Sequence, residues 1–81
     1  MILSMYAIQD LKSGFLTPTI ETNDAVAKRN FEHAIQNTNT IMFSHQEDFR
    51  LMRLASFDTE TGRIIPLDLI ELVCDGKDVL L

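Results

Sequence analysis

One cysteine, Cys74, leaves the chain without an internal disulfide or a cysteine-based zinc cluster, and such thiol usage suits a reducing compartment. Positive charge is also scarce. Seven Lys and Arg face twelve Asp and Glu, for a net charge of −5. The deficit is uneven: residues 68–81 carry four acids against one base, net −3, and residues 1–67 carry eight against six, net −2. An acidic chain repels a polyphosphate at long range, so nucleic-acid binding would need a local basic patch. No internal repeat or low-complexity segment is evident. The apolar opening Met1–Ile8 is too short to span a bilayer and lacks a basic leader, so it is expected to be neither signal peptide nor membrane anchor. No nucleophile, base and orienting group stand in a recognisable catalytic order, which argues against an enzyme.

What is present makes one domain, residues 1–81. At 46% hydrophobic and 23% charged the chain falls among ordinary globular proteins. Its length restricts burial to about 60–65% of the unfolded surface, so the core is small. The most readable stretch is Phe43–Ile64. Ser44-His45-Gln46-Glu47 has the spacing of a capping box, in which two side chains satisfy each other's backbone N–H groups. A strand follows: Phe49, Leu51, Ala55 and Phe57 are expected on one face with Arg53, and Met52 and Leu54 on the other with Arg50 and Ser56. A strand apolar on both faces belongs at the centre of a sheet or beneath a second layer. Asp58-Thr59-Glu60-Thr61-Gly62 then reads as a hairpin loop, braced by Asp58, with Gly62 free to take a positive φ.

Around this hairpin the rest is arranged. Ile2–Asp10 reads as a first strand, Lys12-Ser13-Gly14 as a turn, and Phe15–Ile20 as a returning strand kept short, bulged or at the edge by Pro18. Thr22 or Asn23 caps a helix running to about Gln36, with Asp24 in its first turn and Ala27, Phe31, Ala34 and Ile35 on one face. After the hairpin, Arg63-Ile64-Ile65 returns as a strand and Pro66 stops it; Leu67–Cys74 reads equally as a short helix capped by Gly76 or as extended chain. The expected fold class is α+β: an antiparallel sheet of about four strands, made of two β-hairpins, with one main helix on one face and a possible short C-terminal helix.

Three groups of residues resemble sites. His45, Glu47 and Asp48 suggest a metal, but they lie on one turn with no second cluster, and the turn reading is preferred. Asp58 and Glu60 lack the ligand ladder of a calcium loop, and hairpin chemistry accounts for them. Lys28, Arg29, Arg50, Arg53 and Arg63 are the candidate DNA-contact residues, though Arg50 and Arg53 point to opposite faces of a regular strand. Met52 and Leu54, where exposed, would form an apolar patch suited to a second subunit, and a homo-oligomer is expected on that ground.

The chain resembles the small nonstructural protein of gokushoviruses, single-stranded DNA bacteriophages of the microvirus group. The resemblance is carried by Met1, Tyr6, Ala7, Ile8 and Asp10, by Phe15 and Pro18, and by Asp24, Ala27, Arg29 and Phe31. Its strongest segment runs through Met42, Phe43, His45, Glu47, Asp48, Phe49 and Leu51, then Phe57, Asp58, Thr61, Gly62 and Ile64. Gln46 stands where proline is usual and Ser56 where glycine is common. The resemblance implies a phage nonstructural protein in the host bacterial cytoplasm, without enzymatic activity or cofactor. Such proteins are described as binding DNA and acting between genome replication and packaging. The partners implied are single-stranded or replicating phage DNA, or the replication and packaging complex, with no membrane.

Overall fold

A computed structural model describes all 81 residues. The elements in order are β1 (Ile2–Asp10), β2 (Gly14–Phe15), β3 (Thr19–Glu21), α1 (Asp24–Gln36), a short α2 (Ile41–Ser44), β4 (Phe49–Asp58) and β5 (Ile64–Asp75). Single 3-10 turns occupy Gln46–Asp48 and Gly76–Asp78. The sheet is antiparallel and five-stranded, ordered β2-β1-β4-β5, with β3 also paired to β1. The expected α+β fold is therefore observed.

Local chemistry accounts for most of the boundaries. Asp10 closes the first turn by accepting from Lys12 N at 2.9 Å and Ser13 Oγ at 2.9 Å, while Gly14 takes φ 116°. The returning strand is split in two around Thr17-Pro18: Leu16 N still donates to Ile8 O at 2.8 Å, and Pro18 has no N–H to give. Asn23 is the cap of α1, its side chain accepting from Val26 N at 2.9 Å. Ala27, Phe31 and Ile35 are the helix residues that become buried. At the second hairpin Glu60 N donates to the Asp58 side chain at 2.9 Å and Gly62 adopts φ 76°.

Four expectations need correction. The Ser44–Glu47 capping box does not form: Ser44 bonds back to Ile41 O and to the His45 ring, and two consecutive short turns replace a single capped one. Pro66 does not stop the last strand. β5 is the sheet's free edge, where a missing N–H costs no ladder bond, and the strand runs on to Asp75. Leu67–Cys74 is thus extended, not helical. Gly76 is no helix cap; it is buried against the Gln46–Phe49 backbone, where a Cβ would come within 2.5 Å of Phe49 O and closer still to Gln46 O.

The fourth correction decides what the sheet displays. Tyr6 pairs with Arg53 but Met5 pairs with Ala55, so Leu54 is an extra residue, a β-bulge. Past it the alternation flips. Phe49, Leu51 and Arg53 face the helix, whereas Ala55 and Phe57 turn to the opposite face with Met52, and Ser56 turns to the helix side. A wider slip follows in β5, where Leu67–Ile70 intervene between the partners of Ala55 and Arg53.

Under α1 lies the core: Tyr6, Phe31, Ile35, Phe49, Leu51 and Cys74 with Ala27 and Val79. Gln46 stitches the C-terminal turn beneath it, donating to Gly76 O at 2.8 Å and Val79 O at 3.0 Å. Beyond the N-terminus of α1 the sheet continues as a three-stranded arm of Ile2–Met5, Leu54–Asp58 and Ile64–Ile70, giving an elongated molecule of 40 × 22 × 18 Å.

Candidate functional site

Where α1 begins, four residues from four elements meet. The buried Tyr6 hydroxyl donates to Asp24 Oδ1 at 2.5 Å. Arg53 Nη1 lies 3.9 Å from the same oxygen, and Arg53 Nη2 pairs with Glu71. Asp24 is in the first turn of α1, where the helix dipole favours a carboxylate. Burial, reinforced by the bond to Asp24, pushes the Tyr6 phenol above its ordinary pKa. The hydrogen bond to Glu71 does the same for Arg53. Chemically this is a lock: a tyrosine held protonated and a guanidinium held charged, fastening the helix to β1, β4 and β5. It offers no poised base or nucleophile.

The five candidate DNA-contact cations are scattered. Lys28 and Arg29 are exposed on α1. Arg53 is engaged by Glu71 and Asp24 on the helix side. Arg50, paired in register with Gln9 and Asp75, lies on the opposite face. Arg63 is exposed at the tip of the β4–β5 hairpin, and Phe57, paired with Ile64 near that tip, is seven residues along β4 from Arg50, about 23 Å at 3.3 Å per residue.

His45 is exposed beside Ser44, its Nδ1 2.8 Å from Ser44 Oγ. No group of three His, Cys, Asp or Glu converges where it could hold a metal ion. Asp58 has a lowered pKa, caused first by the backbone hydrogen bond from Glu60. Burial raises the pKa of Cys74, leaving a protonated thiol inside the core. A partly open cavity of about 140 Å³ lies between β1, β3 and α1, walled by Ile8, Ala27, Phe31 and Leu51, with Glu21 and Asn30 hydrogen-bonded to each other at 3.0 Å among its lining.

The largest chemical feature is the sheet face away from α1. Cross-strand partners share a face, so the register reads it directly. Leu3, Phe57 and Ile64 form one row. Ile20, Met5, Ala55 and Pro66 form the next, and Ala7, Met52 and Leu72 the third. None is charged. No helix lies over them, and Ile64 and Leu72 are each 53% exposed. Met52 thus lies on this face as expected, although itself buried, while Leu54 occupies the half-buried bulge. The sequence reading missed Met5, Ile20 and Leu72, because pairing register is not written in any one strand.

The model of the Phage ORF5 protein family matches residues 3–79, nearly the whole chain. The chain belongs to that family. It is a phage protein, and its family relationship extends through β5 and the C-terminal turn, beyond the segment that carries the gokushovirus resemblance. No curated protein and no solved structure matches the chain significantly. No helix is long and apolar enough to cross a membrane.

Proposed function

We propose that this is a non-enzymatic phage accessory protein acting between genome replication and packaging, and that it serves the replication or packaging complex chiefly through protein contacts. The stage of action is what the gokushovirus resemblance implies, and membership of the Phage ORF5 family is consistent with it. The observation that carries the mode of action is the placement of charge and apolar surface. Five cations are divided among the helix, both sheet faces and a hairpin tip in a chain of net charge −5, whereas the uncovered sheet face carries three paired rows without a charged residue, interrupted on β5 at Leu67–Ile70. Phosphate backbones require convergent cations; protein partners require desolvatable apolar area.

A second reading, direct contact with single-stranded DNA, is favoured by one observation: Lys28 and Arg29 are both exposed on α1 and neither has a salt-bridge partner. Titration of labelled single-stranded DNA at low and high salt separates the two. The protein-contact reading expects no saturable binding at low salt. Tight binding with a log–log salt slope of about −3, the value for about four phosphates neutralised, would replace it with the DNA reading. In that case Arg29→Gln should flatten the slope.

A further inference from the structure

We infer that the face of the sheet away from α1 is closed by a second copy of this chain, docked face to face as a two-fold sandwich. The inference rests on the protein-contact reading above and deepens it by naming the partner on this face as a second copy of the chain.

Three observations point to a missing layer. The accessible surface is 5335 Å² for 9.2 kDa, whereas a self-contained monomer of that mass exposes about 4,900 Å². The radius of gyration is 12.9 Å, against about 12 Å for a compact domain of this length. Only 12 of 81 residues are buried, and the core cluster under α1 contains none of the three apolar rows on the opposite face.

Charge is compatible with a second copy on this face: net charge −5 opposes self-association, and the neutral rows are where that repulsion is least. The three rows carry no charge, and the next row along, Phe15, Gln9, Arg50 and Asp75, carries one cation and one anion. Such a rim is self-complementary under a two-fold axis. Arg50 Nε is enclosed and has no hydrogen-bond partner within the chain.

Area permits the same conclusion. The exposed fractions of the large residues in these rows, Ile64 and Leu72 at 53% and Ile20 at 37% foremost, amount to about 300–600 Å² per copy at about 150–200 Å² for a fully exposed side chain. Two copies would then bury about 600–1,200 Å², a range that reaches the size of a small specific interface. Face-to-face packing is favoured over strand addition because both edges are guarded: β5 by Pro66, Asp68 and the irregularity at Leu67–Ile70, and the opposite edge by its division into the short β2 and β3 around Pro18. Stacked sheets about 10 Å apart, interdigitating their apolar rows, need no edge.

The test is sedimentation equilibrium of the full chain across micromolar concentrations, beside Leu72→Glu, Ile20→Glu and Leu80→Glu. Leu80 is 85% exposed and lies outside the three rows. The wild type is expected to double its mass reversibly. Leu72→Glu and Ile20→Glu should keep the circular dichroism of the parent and weaken association at least a hundredfold, an order set by burying two unpaired carboxylates per dimer. Leu80→Glu should associate as the parent does. A parent that stays monomeric throughout, or a dimer indifferent to both face substitutions, overturns the inference. So does a monomer that binds phosphatidylglycerol vesicles through Leu72, or that acquires a partner only from another protein.

Discussion

The two faces of one sheet differ in how they are finished. On the helix side Tyr6, Leu51 and Cys74 receive Phe31 and Ile35 from α1, and the polar margin is closed by Asp24, Arg53 and Glu71. On the other side Met5, Met52 and Leu72 have equally apolar neighbours and no helix above them. The same strands serve both, so the contrast does not come from composition. It comes from extra residues in the ladders: Leu54 in β4 turns Ala55 and Phe57 away from the helix, and Val73 in β5 leaves Cys74 beneath the helix and Leu72 on the outer face. Stability is concentrated on one face and, on this account, interaction on the other.

Substitutions can sharpen that contrast. Phe31→Ala on the covered side removes a side chain that is 2% exposed and should cost about 3–5 kcal/mol, enough to unfold much of a small domain at ambient temperature. Urea titration followed by circular dichroism checks it. Ile64→Ser on the outer face should cost about 0.5 kcal/mol or less at dilutions where the chain is monomeric. Equal losses at the two positions would erase the distinction.

Gly76→Ala probes the seam that ties the C-terminal turn beneath the core. The added methyl meets two backbone carbonyls, which have no rotamer to yield, so a loss of about 1–3 kcal/mol is expected. Gln46→Ala should behave similarly but more mildly, at about 1–2 kcal/mol, because Gly76 O and Val79 O lose their donor. This contact gives Gln46 its structural role: its side chain supplies a tie to the C-terminal turn.

The mildest loss on the covered side concerns the lock. Tyr6 is the chain's sole tyrosine, so its phenolate absorbance reports one site. Its pKa in the fold is raised above the ordinary 10.0, so the stabilisation is complete below pH 10 and is lost as pH rises through the folded value. Tyr6→Phe should cost about 1 kcal/mol at neutral pH and remove the Tyr6 contribution to that alkaline decline. An unchanged alkaline profile in the variant would separate Tyr6 from the linkage.

Local signals in the sequence identified α1, the Asp58–Gly62 hairpin and the turn at Gly14, because caps and positive-φ glycines act over four or five residues. They failed where a partner strand decides. Pro66 reads as a stop until β5 is known to be an edge, and Leu67–Cys74 reads as helix or strand until β4 claims it. The Ser44–Glu47 spacing fits a capping box, yet two tight turns and the clasp of Gln46 on Gly76 prevail over it. Of the candidate surface, Met52 was legible from its position opposite Arg53. Its companions Met5, Ile20 and Leu72 come from three other strands, and only the register unites them. The pairing of Arg53 with Glu71 spans the bulged β4–β5 ladder, which no spacing rule anticipates.

The central claim is that the fold itself covers one face and an external partner, the second copy, covers the other. Side-chain nuclear magnetic resonance with a soluble paramagnetic probe tests it most directly. The account predicts that Ile35 stays shielded at every protein concentration, while Ile20, Ile64 and Leu72 are exposed when dilute and become shielded together as concentration rises. Methyl groups of Ile20, Ile64 and Leu72 that remain exposed at all concentrations would contradict it.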